Sequence, residues 1–346
     1  MKITDVRAVQ PQTPESPADW RTSLGQILVA IDTDVGLTGY GVGGGGRAGI
    51  HVVRTVLRDL LLGRNAEPVE ELWQEMYSAT LAFGRKGLAV MALSGVDLAL
   101  WDLRGKAANQ PVAALLGGKV GEPLPTYTTV WGAVDPEIVA EHSAFKLHVD
   151  RVQMDDPVAE TVQAVEAARA VVGSDRDLML DAWMRWDVEL TLALDRALRP
   201  FDLDWVEEPL SPDDLAGYAR LAEECVIPIA GGEHEFTAIG FAPLIEGRLH
   251  QVLQPDVCWC GGMTELIKIY EAAREAGLQV CPHRGSELWS LHAIAALDAA
   301  PLAESGRPWM TWVAGQPPIV EGTITLGDAP GLGVTIDETT LAVMPD

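Results

Sequence analysis

The sequence predicts an α/β protein: a (β/α) barrel, TIM-like but modified, attached to an N-terminal α+β unit. Three observations carry this. The first third of the chain combines a hairpin pattern with long helical patterns. From Thr126 onward, short apolar strands alternate with amphipathic helices, as in a run of βα units around a parallel sheet. Acidic or imidazole side chains then recur at the ends of those strands, one βα unit apart.

In order, QILVAIDT (26 to 33) and TGYGVG (38 to 43) flank Asp34-Val35-Gly36-Leu37 and read as a β-hairpin with glycine at the turn. HVVRTVLRDLLLG (51 to 63), VEELWQEMYSATL (69 to 81) and GLAVMALSGVDLALWDLRGKAA (87 to 108) place apolar residues at three- and four-residue steps and read as helices. Pro111 and Leu116-Gly117-Gly118 stop the helical stretch, and Pro123-Leu124-Pro125 reads as a linker. The strands that follow are PTYTTV, AFKLHV, DLMLDA, LDWVEEP, VIPIAGGE, HQVLQPD and LQVCPH. The expected division is a unit over residues 1–122, a barrel over 123–318, and a tail over 319–346 that packs back on the first unit.

Composition narrows the function. The 346 residues, 48% of them hydrophobic, can bury a large core, and 50 acidic against 25 basic residues give a formal net charge of −25. That balance repels nucleic acid and anionic membrane surfaces, so neither is expected as a partner. With no apolar segment of signal-peptide or membrane-spanning length, the expectation is a soluble cytoplasmic protein. Cys225, Cys258, Cys260 and Cys281 lack the spacing of a disulfide framework or a zinc site, which fits a reducing compartment and packing roles.

The strand ends carry the chemistry. Asp181, Glu207, Glu233, Asp256 and His283 follow one another at separations of 26, 26, 23 and 27 residues, so a barrel would point all five into one mouth. Asp181, Glu207 and Glu233 are hard oxygen donors on neighbouring strands, a set that suits Mg²⁺ with positions left for water and substrate. Asp256 is placed to orient the His283 imidazole as a general base. Lys146 and His148 share one face of another strand, where Lys146 is placed to neutralise a substrate carboxylate and His148 is either functional or a structural histidine. The competing explanation, carboxylates that merely cap the following helices, does not require each to sit on its strand terminus.

Together Asp181, Glu207-Glu208-Pro209, Glu233, Gln254-Pro255-Asp256 and Pro282-His283 resemble the enolase superfamily, mandelate racemase subgroup. DLMLDAWMRWDVE, WVEEPLSPDD, GEHE, LQPDVCWCGGMTE and PLAE most resemble its L-rhamnonate dehydratase-like acid-sugar dehydratases. The resemblance implies an N-terminal capping domain, Mg²⁺ held by Asp181, Glu207 and Glu233, and an Asp256–His283 base dyad. It further implies that Glu304 contacts a substrate carboxylate oxygen and that His234 reaches the substrate. The implied activity is proton abstraction α to a carboxylate, an enediolate, and loss of water to a 2-keto-3-deoxy sugar acid. A small-molecule sugar acid is the implied partner, and a homo-oligomer the implied assembly.

The chain also departs from the family pattern. It has Lys146-x-His148 where racemases of the subgroup carry Lys-x-Lys. Rhamnonate dehydratases carry a histidine in an early capping-domain loop, where residues 14 to 25 here offer Trp20 and Arg21 as candidate substrate contacts, and Arg284 stands as an insertion after His283. The alternative in the same superfamily is a racemase or epimerase, with Lys146 or His148 as the second base. Remoter alternatives are a non-catalytic protein and a nucleotide-binding one. The latter would rest on Gly41-Val42-Gly43-Gly44-Gly45-Gly46, but these glycines lack a βαβ context and are expected to form a mobile loop near the mouth.

Overall fold

Alternating apolar residues build a three-stranded antiparallel sheet from β1 (Ile3–Val9), β2 (Ile27–Thr33) and β3 (Thr38–Gly43), in the order β1-β2-β3. The computed structural model describes residues 1–12, 25–149, 155–285, 287–305 and 310–344. The expected hairpin is present, with β2 and β3 paired from Ile27↔Gly43 to Asp32↔Thr38 and Gly36 in the left-handed turn position at φ 79°.

Helices α1 (Gly46–Val52), α2 (Arg58–Leu61), α3 (Val69–Thr80) and α4 (Leu88–Ala108) follow, with a π-helical turn over Val53–Leu57 between the first two. Asn109, left-handed at φ 53°, closes α4. The glycines at 41 to 46 are not the expected mobile loop: all are buried, and Gly41 and Gly43 belong to β3. The reason is close approach. A Cβ on Gly41 would lie 2.1 Å from the Gly95 carbonyl oxygen, and one on Gly43 would lie 2.3 Å from that of Met91, so β3 rests directly on the backbone of α4.

Another face of α4 docks the loop that follows Asp256. Ser94 Oγ accepts from the Gly261 N–H (2.9 Å), and Asp97 accepts from the Thr264 N–H (3.0 Å) and hydroxyl (2.6 Å). Trp101 Nε1 donates to Thr264 Oγ1 (3.0 Å) and Trp73 Nε1 to the Gly261 carbonyl (2.7 Å).

After α5 (Val112–Leu115) come the eight parallel strands of the barrel: β4 (Pro123–Trp131), β5 (Ala144–His148), β6 (Asp177–Asp181), β7 (Val206–Glu207), β8 (Ile229–Gly231), β9 (Val252–Leu253), β10 (Gln279–Val280) and β11 (Ala303–Ser305). Strands β4 to β10 are neighbours in sequence order, and β11 returns to pair with β4. Between β10 and β11 the Cys281 thiol meets the Leu302 carbonyl at 3.4 Å. Tyr127, Ala144, Met179, Trp205, Ala230, Val252 and Cys281 form a buried cluster of their own, drawn from the strands and their immediate flanks.

The outer helices are α6 (Pro136–Glu141), α7 (Pro157–Val172), α8 (Val188–Leu198), α9 (Leu215–Glu224), α10 (Thr237–Glu246), α11 (Met263–Ala276) and α12 (Leu288–Leu297). The side chains of Asp135, Asp156, Asp187 and Asp214 accept from first-turn N–H groups of α6 to α9. These four, and not the strand-end carboxylates, are the caps.

Pro123-Leu124-Pro125 is not a linker but the start of β4, where a distant partner, β13 (Thr323–Thr325), completes the pairing beside β12 (Ile319–Val320). Prolines are tolerated in such end positions because no central ladder needs their missing N–H. The chain then reaches the N-terminal unit: the Leu332 N–H donates to Asp102 (2.8 Å), Tyr40 Oη donates to Glu338 (2.7 Å), and Arg7 pairs with Glu338. Among the described residues no helix is long and apolar enough to cross a membrane.

Candidate active site

Parallel pairing aligns the strand ends. Asp181 is the register partner of both His148 on β5 and Glu207 on β7. Beside several of these ends the backbone turns left-handed, at Trp183 (φ 44°), Glu208 (φ 40°), Gly232 (φ 122°) and Arg284 (φ 54°). Such conformations are costly for residues other than glycine and persist only where the surroundings impose them; here they bend the chain sharply at the mouth.

Lys146 stands at the centre, 1% exposed. Its Nζ lies 2.7 Å from Glu207 Oε2, 2.7 Å from Glu304 Oε1 and 3.8 Å from Asp181 Oδ2, and 5.5 Å from the centre of the Tyr127 ring. Burial alone would lower its pKa, but the Glu207 and Glu304 carboxylates raise it well above the ordinary lysine value. One cation does not satisfy this many acids. Burial pushes Asp181 up to about 7 and Glu207 up to about 8 despite Lys146, with neighbouring carboxylates adding to the rise. Glu304 resists its own burial because Lys146 and His283 outweigh it, and falls to about 2. It also accepts from Thr129 Oγ1 (2.7 Å) and the Arg284 N–H (2.8 Å).

Across from Lys146 stand two imidazole–carboxylate pairs. His283 Nδ1 lies 2.8 Å from Asp256 Oδ2, while its Nε2 lies 3.0 Å from Glu233 Oε2 and 4.0 Å from Glu304 Oε2. His234 Nδ1 lies 2.7 Å from Glu208 Oε2 and 3.4 Å from Glu233 Oε1. Burial opposes a charge on either ring, yet Glu233 and Asp256 raise His283 well above its ordinary value and Glu233 and Glu208 raise His234 to about 9. For Glu233, burial is outweighed by His283 and His234, which hold it well below the usual carboxylate range.

The structure thus brings together Asp181, Glu207, Glu233, Asp256, His283, Lys146, His234 and Glu304. His148 is at the edge, its Nε2 3.5 Å from Asp181 Oδ2 and its ring stacked 5.8 Å from that of Trp131, which is 66% exposed. Trp20 and Arg21 lie outside the described residues. Three donor atoms from Glu208, Glu233 and His234 lie within 4.8 Å of one another, while Glu207 is turned to Lys146 and to Gln254 Nε2 (2.7 Å).

Sequence reasoning missed Glu208 as the partner of His234, Gln254 as the partner of Glu207, and Trp259. The Trp259 ring lies 5.8 Å from that of His234 and 6.0 Å from that of His283. The signal for Gln254 was its place two residues before Asp256 on the same strand end, since alternation gives both one face. An assembly of this kind, hard oxygen donors beside a fixed ammonium and a carboxylate-oriented imidazole, can bind a divalent cation and an organic acid and move a proton between that acid and the imidazole.

Residues 3–117 match the family model for the mandelate racemase / muconate lactonizing enzyme N-terminal domain, and residues 135–340 match that for enolase C-terminal domain-like proteins. The chain is 38% identical over 333 residues to an L-rhamnonate dehydratase from Saccharopolyspora erythraea, covering 91% of this chain and 84% of that protein. Among solved structures it is similar to a racemase from Streptomyces coelicolor A3(2) with bound magnesium, at 32% identity, TM-score 0.88 and 98% of both chains. It is also similar to the L-talarate dehydratase from Polaromonas sp. JS666 complexed with Mg and L-glucarate, at 30% identity, TM-score 0.86, and 98% and 96% of the two chains.

Proposed function

The chain belongs to the enolase superfamily, with the N-terminal domain of mandelate racemase and muconate lactonizing enzyme, and from that premise we propose that it is a magnesium-dependent sugar-acid dehydratase, a carbon–oxygen lyase. The observation that carries this reading is the placement of His283: Asp256 fixes one ring nitrogen, and the other faces Glu233 and Glu304 across from Lys146. The dehydratase relatives support the reaction class.

The donor set fits magnesium. Asp181, Glu207 and Glu233 are buried carboxylates whose charge Lys146 alone does not balance, and they are the residues that would hold the ion. When bound, it supplies a Lewis acid for the substrate carboxylate. The chain's own residues do the rest. Lys146 places positive charge beside that carboxylate, and Glu304, held by Thr129 and the Arg284 N–H, donates to one of its oxygens in its protonated form. His283, as the neutral imidazole, takes the α-proton as the C–H bond breaks and charge spreads into an enediolate. The imidazolium then returns the proton to the hydroxyl on the next carbon as that C–O bond breaks; water leaves, and the enol becomes a 2-keto-3-deoxy acid.

A panel of sugar acids incubated with Mg²⁺ and scored for keto-acid formation tests this, with His283→Asn as control. Keto acid formed equally by the variant would remove His283 from the chemistry. The racemase from Streptomyces coelicolor keeps a second reading open. In deuterated water, inversion with isotope uptake and no keto product would replace dehydration by racemisation or epimerisation.

A further inference from the structure

We infer that Arg284 is a positioning residue that ties Glu304 and the strand end bearing His283 to the N-terminal unit at Gln26; what Glu304 and His283 do is taken from the function proposed above. Arg284 is the residue that departs from the family pattern the sequence resembles. It is 5% exposed and left-handed at φ 54°. A non-glycine residue held so is strained and persists only when its neighbours over-determine it.

Those neighbours are identifiable. The backbone N–H donates to Glu304 Oε2 at 2.8 Å. The guanidinium pairs with Glu287, which immediately precedes α12. With the Gln26 amide turned so that its oxygen, and not its nitrogen, faces the guanidinium, as the donors there require, Nη2 donates to that oxygen at 2.7 Å, and Gln26 leads directly into β2. One residue therefore touches a barrel-mouth carboxylate through its backbone and the other structural unit through its side chain. The fork of donors lets a single arginine hold both an acid and an amide, which a lysine ammonium does less well. Through Glu287 and Gln26 the side chain reaches the start of α12 and of β2, and it is in this sense that it positions.

Glycine adopts positive φ without strain, so Arg284→Gly keeps the backbone conformation that orients Glu304 and removes the guanidinium's contacts, the Glu287 pair together with the cross-unit tie. On whichever sugar acid is turned over, kcat/KM is expected to fall about 10–100-fold in Arg284→Gly, the scale of a small misplacement of catalytic groups. Arg284→Lys should recover part of it. Gln26→Ala, which leaves the Arg284–Glu287 pair intact, should lower kcat/KM about 3–10-fold, mostly through KM. It should add nothing further in the Arg284→Gly background. Equal effects of Gln26→Ala in both backgrounds, or wild-type kinetics for Arg284→Gly, would overturn the inference. If Arg284→Gly does not fold, Gln26→Ala decides through hydrogen exchange: faster exchange of the first β2 amides supports the tie, and unchanged exchange removes it. Should the wild-type chain turn over no sugar acid, the proposed function falls, while the exchange measurement still judges the tie.

Discussion

The barrel mouth and the seam between α4 and the loop after Asp256 are both buried and both rich in polar groups, but they are satisfied differently. At the seam each acceptor named meets a donor of matching reach: Ser94 with Gly261, and Asp97 with both the N–H and the hydroxyl of Thr264, which itself accepts from Trp101. At the mouth, Asp181, Glu207, Glu208, Glu233 and Glu304 share Lys146 and two imidazoles; burial drives Asp181 and Glu207 up as it does Asp97 at the seam, so it is the crowding of acids, and not burial, that marks the mouth. A satisfied buried network holds a shape, whereas a crowded one stores unfavourable charge that a cation relieves. The difference separates a joint from a reactive centre.

The sharpest way to break the comparison is at the mouth. His283→Asn is expected to lower turnover by about 10²–10⁴-fold, the contribution of a positioned acid–base group, with little change in melting temperature. A large fall in stability with turnover retained would make His283 a structural residue. Magnesium should act in the same place: at about 100 times Kd it should add roughly 2.7 kcal/mol to stability, read as a thermal shift that EDTA abolishes. Glu207→Gln should weaken that shift more than Glu208→Gln; the reverse order would move the ion to the Glu208–Glu233–His234 side.

At the seam the expected effects are on stability alone. Thr264→Val leaves the Trp101 N–H without its acceptor and Asp97 with only the backbone N–H of residue 264, and should cost about 1–3 kcal/mol by denaturant unfolding, with the magnesium shift unchanged. A smaller and pH-dependent effect comes from His292, whose Nδ1 accepts from the Ala113 N–H across the two units at 3.0 Å. Burial pushes it down to about 4 from 6.5. Above pH 6.5 neither state binds the proton; as pH falls from 6.5 toward 4 the unfolded chain binds it and the folded chain does not, so stability drops. His292→Gln should flatten that slope between pH 6.5 and 4, and an unaltered slope would show that the ring titrates freely.

Much of the mouth was legible because its residues end strands whose rhythm is local: Asp181, Glu207, Glu233, Asp256 and His283 needed only the βα spacing. The division of labour within Glu207-Glu208 was not, since it depends on the left-handed turn at Glu208, which sends that side chain to His234. Trp259 gave no signal of its own, because its contact with both imidazoles exists only once β8 and β10 stand either side of β9. The seam was illegible for the same reason. Ser94, Asp97 and Trp101 sit in an ordinary helical pattern, and their partners are more than 160 residues away. Pro123 and Pro125 misled because the strand that pairs with them lies near the far end of the chain.

The glycines of β3 carry a mechanical consequence. Positions 39, 41 and 43 touch the carbonyls of Ala99, Gly95 and Met91 on the helix whose other side grips Gly261 and Thr264. A single methyl group added there would wedge sheet and helix apart, and the displacement would travel through a rigid rod to the loop bearing Trp259. A surface remote from any reacting atom thereby sets the alignment of the walls around them.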